Sequence, residues 1–305
     1  MRKLRIATRR SHLAITQSQW VADAIAALPS QPVVELATMR TRGDEHRGPL
    51  VGAGGKGLFT RELEAALRGR EVQLAVHSAK DMPAEMEADF RIVAVPKRED
   101  PRDALAGRCG ELASLPVGAV VGTGSLRRRA QLLDARDDLD VVAVRGNVET
   151  RLGKALSAEG EMAATVLAMA GLIRSGLIDE HAELIHPLAA ESFVPAAAQG
   201  ILAVQALAAD EQLAELLAPL DDPASRDALE AERFVLRGLR ADCHTCLAVH
   251  VAPASDGWRG RAMVARPNGS DMIRLAESGP SAAEVAGTLL DSLLSRGARE
   301  LLFGS

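Results

Sequence analysis

The sequence predicts an α/β protein with more than one domain, and three observations carry that prediction. The chain has 305 residues, more than a single hydrophobic core usually serves. Short apolar, β-rich runs alternate with segments of helical periodicity, the order that builds strand–helix–strand units. That alternation starts afresh about a third of the way along, so two such units follow one another.

In the first unit, "KLRIAT" (3–8) reads as a short buried strand. Ser11 is placed to cap a helix running to about Leu28, with Ile15, Trp20, Val21, Ile25 and Leu28 at apolar positions. "VVELATM" (33–39) reads as a second strand. Residues 41–57 are rich in glycine and charge and read as a long loop, followed by a helix from about Leu58 to Leu67. "VQLAVHS" (72–78) is a third strand, ending at "AKDMP". This order implies a mainly parallel sheet, and ligands of such sheets bind beyond the carboxyl ends of the strands.

The second unit repeats the scheme. "AVVGTGS" (119–125) is strand into loop and is followed by a helix opening on "LRRRAQLL". "DVVAVRGNVETRL" (140–152) is strand, loop and helix, and "AATVLAMAGL" (163–172) is strand into short helix. "FVPAAAQGILAVQAL" (193–207) carries strand character and is expected to return to the first sheet. Beyond "DDPAS" (221–225) come a helix over 225–239, strands in "CHTCLAVHVAP" and "WRGRAMVARP", and one C-terminal helix in "SAAEVAGTLLDSLLSRGARELL". The expected domains are 1–95 with about 193–213, then 98–190, then 218–305.

Composition narrows the function. The net charge is -5, aromatics make up 2% and tyrosine is absent. That argues against a nucleic-acid partner, which would call for basic surface and stacking platforms. No apolar run is long enough to span a bilayer, and the basic N-terminus lacks the apolar core of a signal peptide. Three cysteines, Cys109, Cys243 and Cys246, do not make a disulfide framework. A cytoplasmic protein with no membrane partner is expected.

The cations are not scattered. Arg9, Lys56, Lys80, Arg127, Arg128, Arg145 and Arg151 all stand at predicted strand ends or helix starts. Arg127, Arg128 and Arg129 sit at a helix N-terminus, where the macrodipole disfavours cations unless an anion lies opposite. Guanidinium forks bind carboxylate or phosphate, and the backbone N–H groups of "GTGS" add to anion binding there. Together these predict a polyanion-binding cleft between two α/β domains. Asp81, beside Lys80, is a helix cap, an ion-pair partner, or an acid for charge stabilisation or proton transfer. "DCHTC" (242–246) is a single CxxC pair, short of the four ligands structural zinc needs, so no metal site is expected. A structural cysteine and a covalent anchor at Cys243 both stay open.

Nine segments, "RIATRRSHLA", "TRGD", "GGKGLFTRELE", "AVHSAKDMP", "REDPRDAL", "VGTGSLRRRAQL", "VRGNVETRL", "LAMAGLIRSGL" and "PAAAQGILAV", resemble the porphobilinogen deaminase (hydroxymethylbilane synthase) family along nearly the whole chain. The resemblance implies three α/β domains, the first two like type II periplasmic binding proteins flanking a cleft, the third a small α+β domain. It implies a transferase of tetrapyrrole and heme biosynthesis that joins four porphobilinogen units and releases ammonia. A dipyrromethane cofactor on a cysteine thioether and a monomeric state are implied as well. The family's carboxylate-binding groups fall on Arg9, Ser11, Lys80, Thr123, Ser125, Arg127, Arg128, Arg145, Arg151 and Arg174. Its catalytic aspartate falls on Asp81, a residue packing near the substrate on Phe59, and the cofactor cysteine on Cys243. The stretch Ala241-Asp242-Cys243-His244-Thr245-Cys246 departs from the family, which has two small residues before that cysteine and a proline three after it. Cys246, in the proline's place, offers a second sulfur. A divergent paralogue that binds an anionic ligand without deaminase activity is the alternative reading.

Overall fold

The computed structural model describes residues 3–41, 59–157, 160–241 and 245–304. In chain order it begins with β1 (Lys3–Arg9), α1 (His12–Ala26), β2 (Val33–Met39), α2 (Arg61–Arg68), β3 (Leu74–Ser78) and β4 (Phe90–Ala94). Next come β5 (Asp103–Gly107), β6 (Val120–Gly122), α3 (Leu126–Ala135), β7 (Asp140–Val142), α4 (Val148–Leu156), β8 (Ala164–Ala168), α5 (Met169–Arg174), α6 (Leu177–His181) and β9 (Ile185–Pro187). The remainder is β10 (Leu202–Leu207), α7 (Glu211–Leu217), α8 (Pro223–Leu239), β11 (Leu247–Ala254), β12 (Gly257–Ala265), β13 (Met272–Gly279), α9 (Ala282–Ser295) and α10 (Ala298–Phe303). The chain forms two compact units, Met1–Glu99 with Ile201–Arg226 and Asp100–Gly200 with Asp227–Ser305.

The first unit is built on a five-stranded sheet in the order β2-β1-β3-β10-β4. Alternate residues of β1 face opposite ways, as the pleat requires. Leu4 and Ile6 pack with Val21 and Ile25 of α1 and Leu213 of α7. Ala7 packs on the other face with Leu63 and Leu67 of α2. The sheet is therefore buried on both sides.

The second unit holds a sheet with the same pattern, β7-β6-β8-β5-β9, and a three-stranded antiparallel sheet, β11-β12-β13. One face of the small sheet carries Val249 and Val251 and packs on Val235 of α8 and Leu289 of α9. The opposite face carries Cys246, Ala248 and Met263 and packs on Ala130 of α3. Arg274 of β13 also donates to Asp134 of α3 at 2.7 Å. Helix α3 is thus gripped by both sheets of its unit.

Several expectations are corrected. The large sheets are evenly mixed rather than mainly parallel. In each, two pairs are parallel and two antiparallel, because β10 and β5 are inserted against the run of their neighbours. This is the strand order of the type II periplasmic-binding fold, as the resemblance implied. Only 202–207 of the stretch 193–207 is strand; Ala198 in its first half has φ 59, which no strand accommodates. Helix α8 starts at Pro223 because Asp222 Oδ1 accepts the Ser225 N–H at 2.8 Å and proline suits the first helical position. The C-terminal helix breaks at Gly297, at φ 79. Strands β4, β5, β9 and β13 went unforeseen. In β13 only Leu275 is buried, and β5, "DALAG", lacks the β-branched residues that mark strands.

Candidate functional site

The sequence-predicted residues fall into one group in each unit. In the first, β1 pairs with β3 in parallel register, Ile6 with Leu74 and Ala7 with Ala75. The carboxyl ends of the two strands therefore lie side by side. Arg9 closes β1, and its guanidinium carbon sits 4.2 Å from the centroid of the Phe59 ring, a cation–π contact that orients it. Ser11 caps α1, its Oγ accepting the Ala14 N–H at 3.3 Å. Lys80 and Asp81 occupy a 3-10 turn, Ala79–Asp81, directly after β3. Ala79 is buried, and its N–H donates to the Ile201 carbonyl at 2.9 Å. That bond fixes the turn and leaves the Asp81 side chain exposed.

Beneath this edge lies a buried polar chain that sequence reasoning missed. His77 Nε2 is 2.8 Å from Gln205 Oε1, and Gln205 Nε2 donates to Glu64 Oε1 at 3.0 Å. Burial pushes the His77 pKa down to about 4, against the Gln205 hydrogen bond and the charge of Asp81, which raise it. His77 is therefore neutral at neutral pH. The only signal in the sequence was a polar residue inside an apolar strand.

In the second unit, β6 is followed directly by Thr123, whose N–H donates to the Val142 carbonyl at 2.9 Å. Thr123 Oγ1 accepts the Ser125 N–H at 3.2 Å, and Ser125 caps α3 through the Arg128 N–H at 3.4 Å. The arginines at this helix start already face an anion. Asp103, fully buried, accepts from Arg127 Nη1 at 2.7 Å and from Arg128 Nη2 at 2.7 Å. Burial alone would raise the Asp103 pKa, but the two guanidiniums outweigh it and hold the carboxyl well below the usual range. Arg129 turns away to the Val141 carbonyl. The question posed by cations at a helix N-terminus thus has a first answer within the chain. Asp103 was missed although it lies in "REDPRDAL", because its partners are 24 and 25 residues away.

Arg145 is exposed in the turn after β7. Arg151 is held by its Nε–H on the Gly146 carbonyl at 2.8 Å. Arg174 donates to the Gly200 carbonyl at 2.7 Å. Cys243 lies outside the described residues. Cys246 does not behave as a competing sulfur: it is buried, its Sγ lies 3.5 Å from the Leu126 carbonyl, and burial pushes its pKa up to about 11. The thiolate is the nucleophile, and that form is scarce here at neutral pH. Among the described residues no group of three or more His, Cys, Asp or Glu could hold a metal ion. Among them, too, no helix is long and apolar enough to cross a membrane.

Each unit thus sets cationic and hydroxyl-bearing turns at the carboxyl edge of a mixed sheet, a donor set suited to anions, and the first unit adds the exposed Asp81 beside Lys80. Comparison with known proteins narrows the class. Residues 4–215 match the family described as porphobilinogen deaminase, dipyromethane cofactor binding domain. The chain is 42% identical over 303 residues to the porphobilinogen deaminase of Syntrophotalea carbinolica, covering 98% of this chain and 95% of that one. It is 43% identical over 306 residues to that of Roseiflexus castenholzii, covering 99% of each. Among solved structures, the periplasmic aliphatic sulphonate binding protein SsuA of Escherichia coli aligns with a TM-score of 0.41 at 13% identity, over 79% of this chain and 71% of that one. The chain belongs to the porphobilinogen deaminase family.

Proposed function

We propose that this protein condenses four porphobilinogen molecules into a linear tetrapyrrole with release of ammonia, as a hydroxymethylbilane synthase. It is a transferase of porphyrin and heme biosynthesis, and its cofactor is dipyrromethane, one per chain. In this reading Cys243 carries the cofactor, the protein works as a cytoplasmic monomer on a small molecule rather than on nucleic acid, and the chain has three domains, 1–95 with about 193–213, 98–190 and 218–305.

The donor chemistry fits such a group. Arg127 donates from Nη1 to Asp103 and to the Val194 carbonyl, and its Nε and Nη2 hydrogens have no acceptor among the described residues. A helix start also leaves backbone N–H groups without intrahelical partners, here beside Ser125 and Thr123. When bound, the dipyrromethane supplies the pyrrole carbon to which the first substrate is joined. Arg9, Ser11, Lys80, Arg145, Arg151 and Arg174 hold the acetate and propionate of substrate pyrroles, and Phe59 packs near them while orienting Arg9. The aminomethyl group reacts as its ammonium form: its C–N bond breaks and the nitrogen, already carrying three hydrogens, leaves with the electron pair as neutral ammonia. Asp81 stabilises the positive charge left on the substrate methylene and takes the proton lost when the new C–C bond restores the pyrrole.

The observation that carries this reading is Asp81: an exposed carboxylate at the end of β3, in a turn pinned by a backbone bond, beside Lys80. Simple anion binding would not call for it. The test is the intact mass of the purified chain beside Cys243→Ser, with turnover of porphobilinogen measured for Asp81→Ala. A dipyrromethane mass in the wild type, absent from Cys243→Ser, is expected. Asp81→Ala is expected to keep that mass and lose nearly all turnover. A wild-type chain with no added mass after incubation with porphobilinogen would overturn the reading.

A further inference from the structure

We propose that His77 is a positioning residue for Asp81: the buried chain through Gln205 and Glu64 keeps its imidazole uncharged, so that no cation beneath the turn competes with the substrate for the Asp81 carboxylate. The proposal rests on the deaminase reading above and adds a residue to which the family resemblance gives no role.

The placement follows from strand register. Ala75 of β3 pairs with Ala7 of β1 on one side and with Gln205 of β10 on the other. Ala7 and Ala75 face α2, packing with Leu63 and Leu67. Two residues further along their strands, Arg9 and His77 stand on that same face of the pleat. Gln205 is the diagonal cross-strand neighbour of His77 there, within side-chain reach. Arg9, His77 and Gln205 thus form a row across three strands, under the helix that carries Glu64. The row lies at the carboxyl end of β3, and the Ala79–Asp81 turn follows at once.

Hydrogen bonding along the chain runs one way. Glu64 accepts at both oxygens, from Gln205 Nε2 at 3.0 Å and from the Thr60 hydroxyl at 3.4 Å. Gln205 therefore turns its oxygen to His77, 2.8 Å from Nε2; flipped, the amide would set that oxygen against Glu64. His77 donates from Nε2, and an amide oxygen asks for no second proton on the ring. Two charged groups act directly on the imidazole: Asp81, which favours protonation, and Arg9 of β1, which opposes it. On this face β10 adds no titratable group, and Glu64 of α2 meets the ring through the Gln205 amide. Burial decides the balance, and the ring is uncharged at neutral pH. The coupling to Asp81 is mutual. An imidazolium here would draw on the carboxylate charge that the substrate methylene cation needs, whereas a neutral ring leaves that charge whole.

The test uses the cofactor-loaded wild type, Gln205→Glu and the double variant Gln205→Glu/His77→Gln. For each, kcat and KM for porphobilinogen are measured from pH 5 to 9, and for the two proteins that keep His77 its ring is titrated by NMR. A carboxylate facing Nε2–H favours the imidazolium. In Gln205→Glu the ring is expected to titrate at higher pH and the acid limb of kcat to move up with it. One pH unit below the new midpoint about one ring in ten is neutral, so kcat there should fall by up to about tenfold from its plateau. In the double variant the limb should return to the wild-type position. A ring titration that Gln205→Glu does not move would overturn the proposal. So would a limb that stays put while the ring shifts, a limb still displaced in the double variant, or an effect on KM alone. Should Gln205→Glu not fold, the wild type decides: its ring should be the neutral Nε2–H tautomer at every pH of full turnover, and a charged ring at any of them refutes the assignment. A wild type that turns over no porphobilinogen at any pH would instead defeat the deaminase reading itself.

Discussion

Acidification should weaken the first unit through one residue. His77 is 6% exposed and hydrogen-bonded through Nε2 to Gln205 Oε1. Because Gln205 spends its Nε2 on Glu64, its oxygen must face His77, so the imidazole carries its proton on Nε2. Burial moves its pKa from 6.5 in the unfolded chain to about 4 in the folded one. Above pH 6.5 neither state is charged and stability is flat with respect to this group. Between about 6.5 and 4 the unfolded chain binds a proton that the folded chain does not, so stability falls as pH falls. Below about 4 both states are charged and the loss is complete. At about 1.4 kcal/mol per pH unit, that window costs roughly 3 kcal/mol. The assay is urea unfolding at half-unit steps from pH 7.5 to 4, on wild type and on His77→Gln, which keeps a donor and removes the titration. The His77 ring signal is followed by NMR in parallel. A ring that titrates near 6.5 in the folded protein, or equal pH slopes in the two proteins, would refute the reasoning. Asp103 does not confuse the window. Its pKa is depressed, so the stability it contributes is present above 3.8 and is lost only as pH falls further.

Three further outcomes follow from particular residues. Ala198 holds φ 59, a left-handed conformation costing a residue with a Cβ about 1–2 kcal/mol; Ala198→Gly should raise stability by up to about 1 kcal/mol in thermal unfolding, and a fall would show that the Cβ packs usefully. Glu232, fully buried, accepts the Ala198 N–H and, at 2.8 Å, the Val251 N–H; Glu232→Gln sets an NH2 against one of them and should cost about 3 kcal/mol, read as a lowered denaturant midpoint, with an unchanged midpoint counting against it. Cys246, with its thiol near 11, should be alkylated by iodoacetamide far more slowly than half-buried Cys109 at pH 7.5, by peptide mass mapping. Equal rates would mean that the Cys246 pocket opens in solution.

How far the sequence reached can be traced residue by residue. β1, β2, β3, β8, α1 and α5 were legible because their apolar residues alternate or repeat within a few positions, and Ser11 was legible as a cap because capping is local. The clustering of cations at strand ends followed from the same local reading, and the resemblance supplied the chemistry. Asp103 was invisible for the opposite reason. Its partners stand 24 and 25 residues downstream, and nothing in "REDPRDAL" distinguishes it from Asp100, which pairs locally with Arg102. The chain Glu64–Gln205–His77 spans 141 residues and exists only because β10 is inserted beside β3. The direction of β10 and β5 in their sheets is likewise a tertiary matter, since an apolar run has the same pattern read either way. The sequence by itself determined the local elements, their caps and the inventory of charges. The tertiary structure decided which charges meet: it buried one carboxylate between two arginines.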